Sequence, residues 1–110
     1  MNKALSKSQI KTNLKSLSDE WTVSTTGNSL SRKFAFRNYM AGFMFVTKVS
    51  VHAEVSGHHP EIVLSYGSVK VTLTTKEVKA LTKADFELAH KCDNLYKLST
   101  AKVINLHNHY

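Results

Sequence analysis

The chain has 110 residues, room for one domain, and a formal net charge of +7 with 42% hydrophobic and 21% charged residues, an ordinary globular balance. No apolar run approaches the ~20 residues that span a bilayer. The polar start, Met1 to Gln9, lacks a signal-peptide core. A cytoplasmic protein that binds no membrane is therefore the expectation. The lysines are scattered rather than blocked, which reads as solvated surface and not as a nucleic-acid groove. A single cysteine, Cys92, excludes an intrachain disulfide and falls among Leu88, Leu95 and Tyr96 as a small core residue.

Ser6 and Gln9 have the spacing of a capping box, and Ile10, Leu14 and Leu17 follow at helical spacing, so a first helix is expected over about Lys7 to Leu17. Trp21 to Ser24 reads as a short strand, and Thr25-Thr26-Gly27-Asn28 as a turn. Leu30, Arg32, Phe34 and Phe36 then alternate with Ser31, Lys33 and Ala35, the period of a strand.

Asn38 can cap a long helix over Tyr39 to Val55. Met40, Phe43, Met44, Thr47 and Val51 form one face of it, and Ala41, Phe45, Val49 and His52 another. A helix apolar on most sides must be covered on most sides. One sheet covers one face, so a second subunit is expected to cover the rest, as a homodimer or homotetramer. His52 is assigned to that packing.

Gly57 to Pro60 ends the helix. Ile62, Leu64 and Tyr66 alternate, Gly67-Ser68 turns, and Val69, Val71, Leu73 and Thr75 alternate again, a second hairpin. Thr82 and Asp85 have capping-box spacing before a last helix over about Lys83 to Leu95. Residues 97–110 are weakly patterned and read as a C-terminal tail after a domain of residues 1–96. The order α-β-β-α-β-β-α implies an α+β domain: a four-stranded antiparallel sheet with three helices on one face.

Glu54, His58, His59 and Glu61 crowd into the stretch where the long helix gives way to a loop. Imidazoles exchange protons near neutral pH, and Pro60 holds the residue before it extended. That is how an acid–base group is kept in one place. His107 and His109 share a side only if that segment is extended, and two ligands make a weak metal site; no metal is expected.

The stretch Ala53-Glu54-Val55-Ser56-Gly57-His58-His59-Pro60-Glu61, followed by Tyr66, resembles the signature of the pterin-4a-carbinolamine dehydratases. Trp21, the Leu30/Arg32/Phe34/Phe36 strand, the segment Val69 to Thr75 and Leu81-Thr82-Lys83-Ala84-Asp85 are similar as well. The resemblance covers about Leu5 to Asp93. It implies dehydration of 4a-hydroxytetrahydrobiopterin to the quinonoid dihydropterin, recycling the cofactor of aromatic amino acid hydroxylases, with no metal or organic cofactor. On matching positions, His59 is the main acid–base residue, and His58 binds and orients the pterin and assists proton transfer. Glu54 orients a histidine or accepts a ring N–H, Pro60 and Glu61 shape the pocket wall, and Asp85 is the acidic residue of the last helix, or simply its cap. Three positions depart from the family. Lys76 stands where a His or Trp is expected: His59 suffices and dehydration is retained but weaker, the outcome favoured here, or Lys76 replaces the lost acid, or the chain is a non-catalytic pterin- or protein-binding relative. Gly57 and Ala80 stand where a polar residue and a Gly are usual.

Overall fold

The structure, a computed structural model, describes the backbone of residues 3–108 and the side chains of residues 3–99. Its elements are α1 (Lys7–Leu14), β1 (Thr22–Val23), β2 (Leu30–Ala35), α2 (Tyr39–Ser56), β3 (Glu61–Ser65), β4 (Ser68–Leu73) and α3 (Lys83–Asn108). The expected order holds. All strand pairs are antiparallel, in the order β1-β2-β4-β3. The two hairpins therefore join through β2 and β4, and β3 forms one edge.

The alternation read from the sequence becomes the inner face of this sheet. Phe34 sits opposite Val69, Arg32 opposite Val71 and Leu30 opposite Leu73, while Ile62 and Leu64 of β3 face Val71 and Val69. Leu30, Phe34, Val69, Val71 and Leu73 are fully buried, whereas Lys33, Ala35 and Lys70 are exposed. All three helices contribute to the packing on the inner face: Ile10 and Leu14 of α1, Phe45, Val49 and Ala53 of α2, and Phe86, Ala89 and Cys92 of α3.

Four boundaries differ from expectation. The capping box of α1 is present: Gln9 N donates to Ser6 Oγ and Ser6 N to Gln9 Oε1. The regular helix stops at Leu14, because the next bonds run i to i−3 (Lys15 to Thr12, Ser16 to Asn13, Leu17 to Leu14), a tighter winding that delivers Leu17 to the core. The β3–β4 turn is Tyr66-Gly67, one residue earlier than expected, since Gly67 takes φ +83°; Tyr66 is an exposed turn residue. β4 ends at Leu73, and Thr75 instead bridges to Ala80. Finally, α3 does not end near Leu95: the segment expected as a tail continues the helix through Asn108. Residues 96–108 contain no Gly or Pro to break it, so weak apolar patterning did not mark a stop.

α2 begins at Asn38, whose Oδ1 accepts the Ala41 N–H at 2.8 Å, and ends at Gly57 in the left-handed region, φ +68°. Gly42 lets it lie close on the sheet. A Cβ there would stand 3.0 Å from Leu64 Cδ1 and 3.3 Å from Val69 Cγ2. Its inner face is Gly42, Phe45, Val49 and Ala53; Met40, Phe43, Met44 and Val51 remain exposed. Among the described residues no helix is long and apolar enough to cross a membrane.

A buried carboxylate ties α3 to the sheet. Asp93 Oδ1 accepts Arg32 Nη1 at 2.7 Å and Trp21 Nε1 at 2.8 Å, and Asp93 Oδ2 accepts the Ser18 N–H at 3.2 Å. The Arg32 guanidinium lies over the rings of Phe34 and Tyr96, at 4.3 and 5.1 Å. Removing one partner of such a pair strands the other, at about 3–5 kcal/mol. Asp93→Ala is expected to lower the unfolding free energy by about that amount, read from the urea midpoint. A loss below about 1 kcal/mol would show that the cluster does not anchor the helix.

Candidate functional site

The end of α2 sorts the two histidines. Gly57 turns the chain left-handed, and the His58 N–H reaches back to Ala53 O at 3.1 Å. His58 then points inward and His59 outward. His58 Nε2 meets Asp85 Oδ1 at 2.5 Å, with side-chain exposures of 14% and 0%. His59 Nε2 meets Glu54 Oε1 at 2.8 Å, with exposures of 63% and 81%. Two imidazole–carboxylate pairs thus stand side by side, one buried and one in solvent.

Asp85 is held from three sides. Besides His58, its Oδ2 accepts the Thr75 hydroxyl at 2.8 Å and the Thr82 N–H at 2.9 Å. Thr75 has one hydroxyl proton and gives it to Asp85, so in the 2.7 Å contact between the two hydroxyls Thr82 is the donor. A carboxylate accepts only, so His58 Nε2 carries its proton toward Asp85, and in the neutral ring Nδ1 is the nitrogen that holds the lone pair. Asp85 is also the third residue of α3 and caps it through the Thr82 N–H. The cap expected from the sequence is therefore present, and the same side chain holds His58.

Beside His58 opens a cavity of about 760 Å³. The last turns of α2 (His52, Val55, Ser56) and Gly57 form one wall. The β4–α3 connection (Thr75, Glu77, Val78) forms a second, and α3 (Ala84, Glu87, Leu88, Lys91) a third. Of the residues singled out from sequence, His58 lines this cavity directly and Asp85 lies buried behind it. Glu54, His59, Pro60 and Glu61 sit next to the wall in sequence but do not line it; Lys76 is exposed and also off the wall. His52, assigned to subunit packing, is half-buried on the wall of this cavity. Glu77, Glu87 and Lys91 were not singled out, and Thr75 and Thr82 were read only as a strand residue and a helix cap. The i, i+4 offset of Glu87 and Lys91 on one face was a weak signal for those two.

Other nucleophile and metal candidates carry less. Burial pushes the Cys92 thiol up to about 12, and the neighbouring Asp93 adds to the effect, so no thiolate forms there near neutral pH. Among the described residues no three His, Cys, Asp or Glu side chains converge as metal ligands. The His107/His109 spacing lies outside the described side chains.

The sequence profile of the family described as Pterin 4 alpha carbinolamine dehydratase matches residues 3–95. A relative from Chelativorans sp. (strain BNC1), named provisionally for that activity, is 41% identical over 87 residues, 79% of this chain and 88% of the relative. One from Nostoc punctiforme, named in the same way, is 40% identical over 89 residues, 81% and 92% of the two chains. Among solved structures, a transcriptional coactivator/pterin dehydratase from Brucella melitensis superposes with a TM-score of 0.81 at 29% identity, covering 86% of this chain and 99% of that one. A pterin dehydratase-like RuBisCO assembly factor of the alpha-carboxysome shares the fold at a TM-score of 0.60 and 24% identity, over 72% of this chain and 95% of that one.

The two imidazole pairs are expected to differ sharply in stability. Asp85→Ala leaves the Thr82 N–H, the Thr75 hydroxyl and His58 without their acceptor, and should lower the unfolding free energy by roughly 1–3 kcal/mol. Glu54→Ala removes an exposed pair and should change it by no more than about 1 kcal/mol. Equal losses in parallel urea titrations would contradict this ranking.

Proposed function

This chain belongs to the pterin 4 alpha carbinolamine dehydratase family, and from that premise we propose that it removes water from 4a-hydroxytetrahydrobiopterin, giving the quinonoid dihydropterin. It would be a hydro-lyase that returns the tetrahydropterin cofactor of aromatic amino acid hydroxylases to use. One observation carries the reading: an imidazole, oriented by a fully buried carboxylate, lines a cavity large enough for a flat bicyclic ring. A cytoplasmic setting suits its lone cysteine.

The reaction removes a proton from a ring nitrogen, forms a C=N bond with the electron pair left behind, and breaks the C–O bond to the 4a-hydroxyl. In the proposed mechanism His58 Nδ1 takes that proton. Asp85 keeps the ring in the tautomer that leaves Nδ1 free and stabilises the imidazolium that forms. The departing hydroxyl needs a proton to leave as water. The imidazolium that His58 becomes is the proposed donor, since His59, paired with Glu54, points outward and does not line the cavity. Pro60 restricts the backbone of His59. The chemistry calls on no metal or organic cofactor; the pterin is the substrate.

A second reading is a relative that keeps the fold and binds a pterin or a protein without turnover. Lys76, exposed at the position where the family has a His or Trp, favours it. A turnover assay separates the two. The protein is expected to speed the decay of 4a-hydroxytetrahydropterin, His58→Ala to lower the rate roughly 10²–10⁴-fold, and His59→Ala and Lys76→Ala to cost less in that order. A wild-type rate equal to the uncatalysed one would leave only the second reading.

We propose further that the chain assembles as a homodimer or homotetramer through α2. Met40, Phe43, Met44 and Val51 form an exposed apolar stripe on the face turned away from the sheet, and contiguous patches of this kind mark contact surfaces. Light scattering is expected to give two or four chains per particle, and Met44→Lys with Val51→Lys to shift it toward one. A monomer at micromolar concentration would refute this assembly.

A further inference from the structure

The cavity extends beyond the imidazole that marks its reactive end. On α3 its wall residues Ala84, Glu87, Leu88 and Lys91 recur at i, i+3, i+4 and i+7, so they share one face. Lys91 therefore stands about 10 Å along the axis from Ala84, the neighbour of the Asp85 that holds His58. On α2, His52 stands one turn, about 6 Å, before Ser56 and the His58 loop. Both helices wall the cavity away from His58, and each brings a nitrogen-bearing side chain to that remote part. A volume of about 760 Å³ lies well inside the range of sites for ligands larger than a bare bicyclic ring, ~300–1,000 Å³. A substituent on the ring has space to occupy it.

Charge decides what that substituent is. Among the described residues, neither the Arg32–Asp93 ion pair nor the two imidazole–carboxylate pairs, His58–Asp85 and His59–Glu54, include Lys91. Two carboxylates also line the cavity: Glu77 on the β4–α3 connection, two residues after the Thr75 that bonds Asp85, and Glu87, one helical turn nearer the reactive end than Lys91, about 6 Å back along the axis; the net charge of +7 favours an incoming anion, and Lys91 is the cation that meets it at the remote end. Resting on the pterin reading above, we infer that the remote end of the cavity selects pterins with an anionic side chain, a phosphate ester or a carboxylate, with Lys91 as the cation and His52 as a hydrogen-bond donor beside it. Lys91 and His52 are specificity residues here, remote from the reacting atoms.

The test is a fluorescence titration of the full chain with neopterin, neopterin monophosphate and pteroylglutamate. At least one of the two anionic pterins is expected to bind about tenfold tighter than neopterin, a difference that shrinks as salt is raised; which one does so distinguishes phosphate from carboxylate. Lys91→Gln should erase the preference, Lys91→Arg should keep most of it, and Glu87→Gln should enlarge it. Anionic pterins that bind no tighter than neopterin, or a preference that survives Lys91→Gln, would overturn this inference alone. Binding of none of the three would overturn the pterin reading and this inference with it.

Discussion

The buried carboxylate of Asp85 is the interaction on which the site depends. A charge with no solvent exposure persists only where donors replace the water it has lost. Here the donors come from three separate parts of the chain: His58 after α2, Thr75 after β4, and the Thr82 N–H at the start of α3. Satisfying one acid therefore fixes three junctions at once. It also fixes which ring nitrogen of His58 is free, so the same bonds that hold the loop prepare the proposed base.

α3 repeats the device two turns further on. Asp85, Ala89, Cys92 and Asp93 lie along its buried side, with an acid near each end and small or apolar residues between. The first acid organises the proposed site. The second takes Arg32 of β2 and Trp21, and stacks the guanidinium on Phe34 and Tyr96. One helix thereby joins the aromatic end of the core to the cavity end, and the Cys92 thiol between them is kept neutral by the same burial.

α2 works in two directions. Its inner face, made close-fitting by Gly42, packs on the sheet, and its last turn delivers Glu54 and the histidine pair. Its outer face remains apolar and exposed. The proposed assembly and the proposed site therefore share one helix and approach each other near its end, where Val51 of the apolar stripe stands one turn from Val55 of the cavity wall.

Much of this was legible in the residues themselves. The period-two runs of Leu30 to Phe36 and Val69 to Leu73, the caps at Ser6, Asn38 and Thr82, and Gly57 before the histidines are local signals, because backbone bonding and side-chain alternation act over a few neighbours. They set the element order, the inner face of the sheet and the place where imidazoles gather. Long-range contact alone chose between His58 and His59 for the cavity wall, paired Asp85 with His58 27 residues away, and brought Lys91 and His52 to a shared hollow. Burial and partner are properties of the packed chain: a carboxylate reads the same in sequence whether water or a threonine hydroxyl answers it, and only folding supplies the answer.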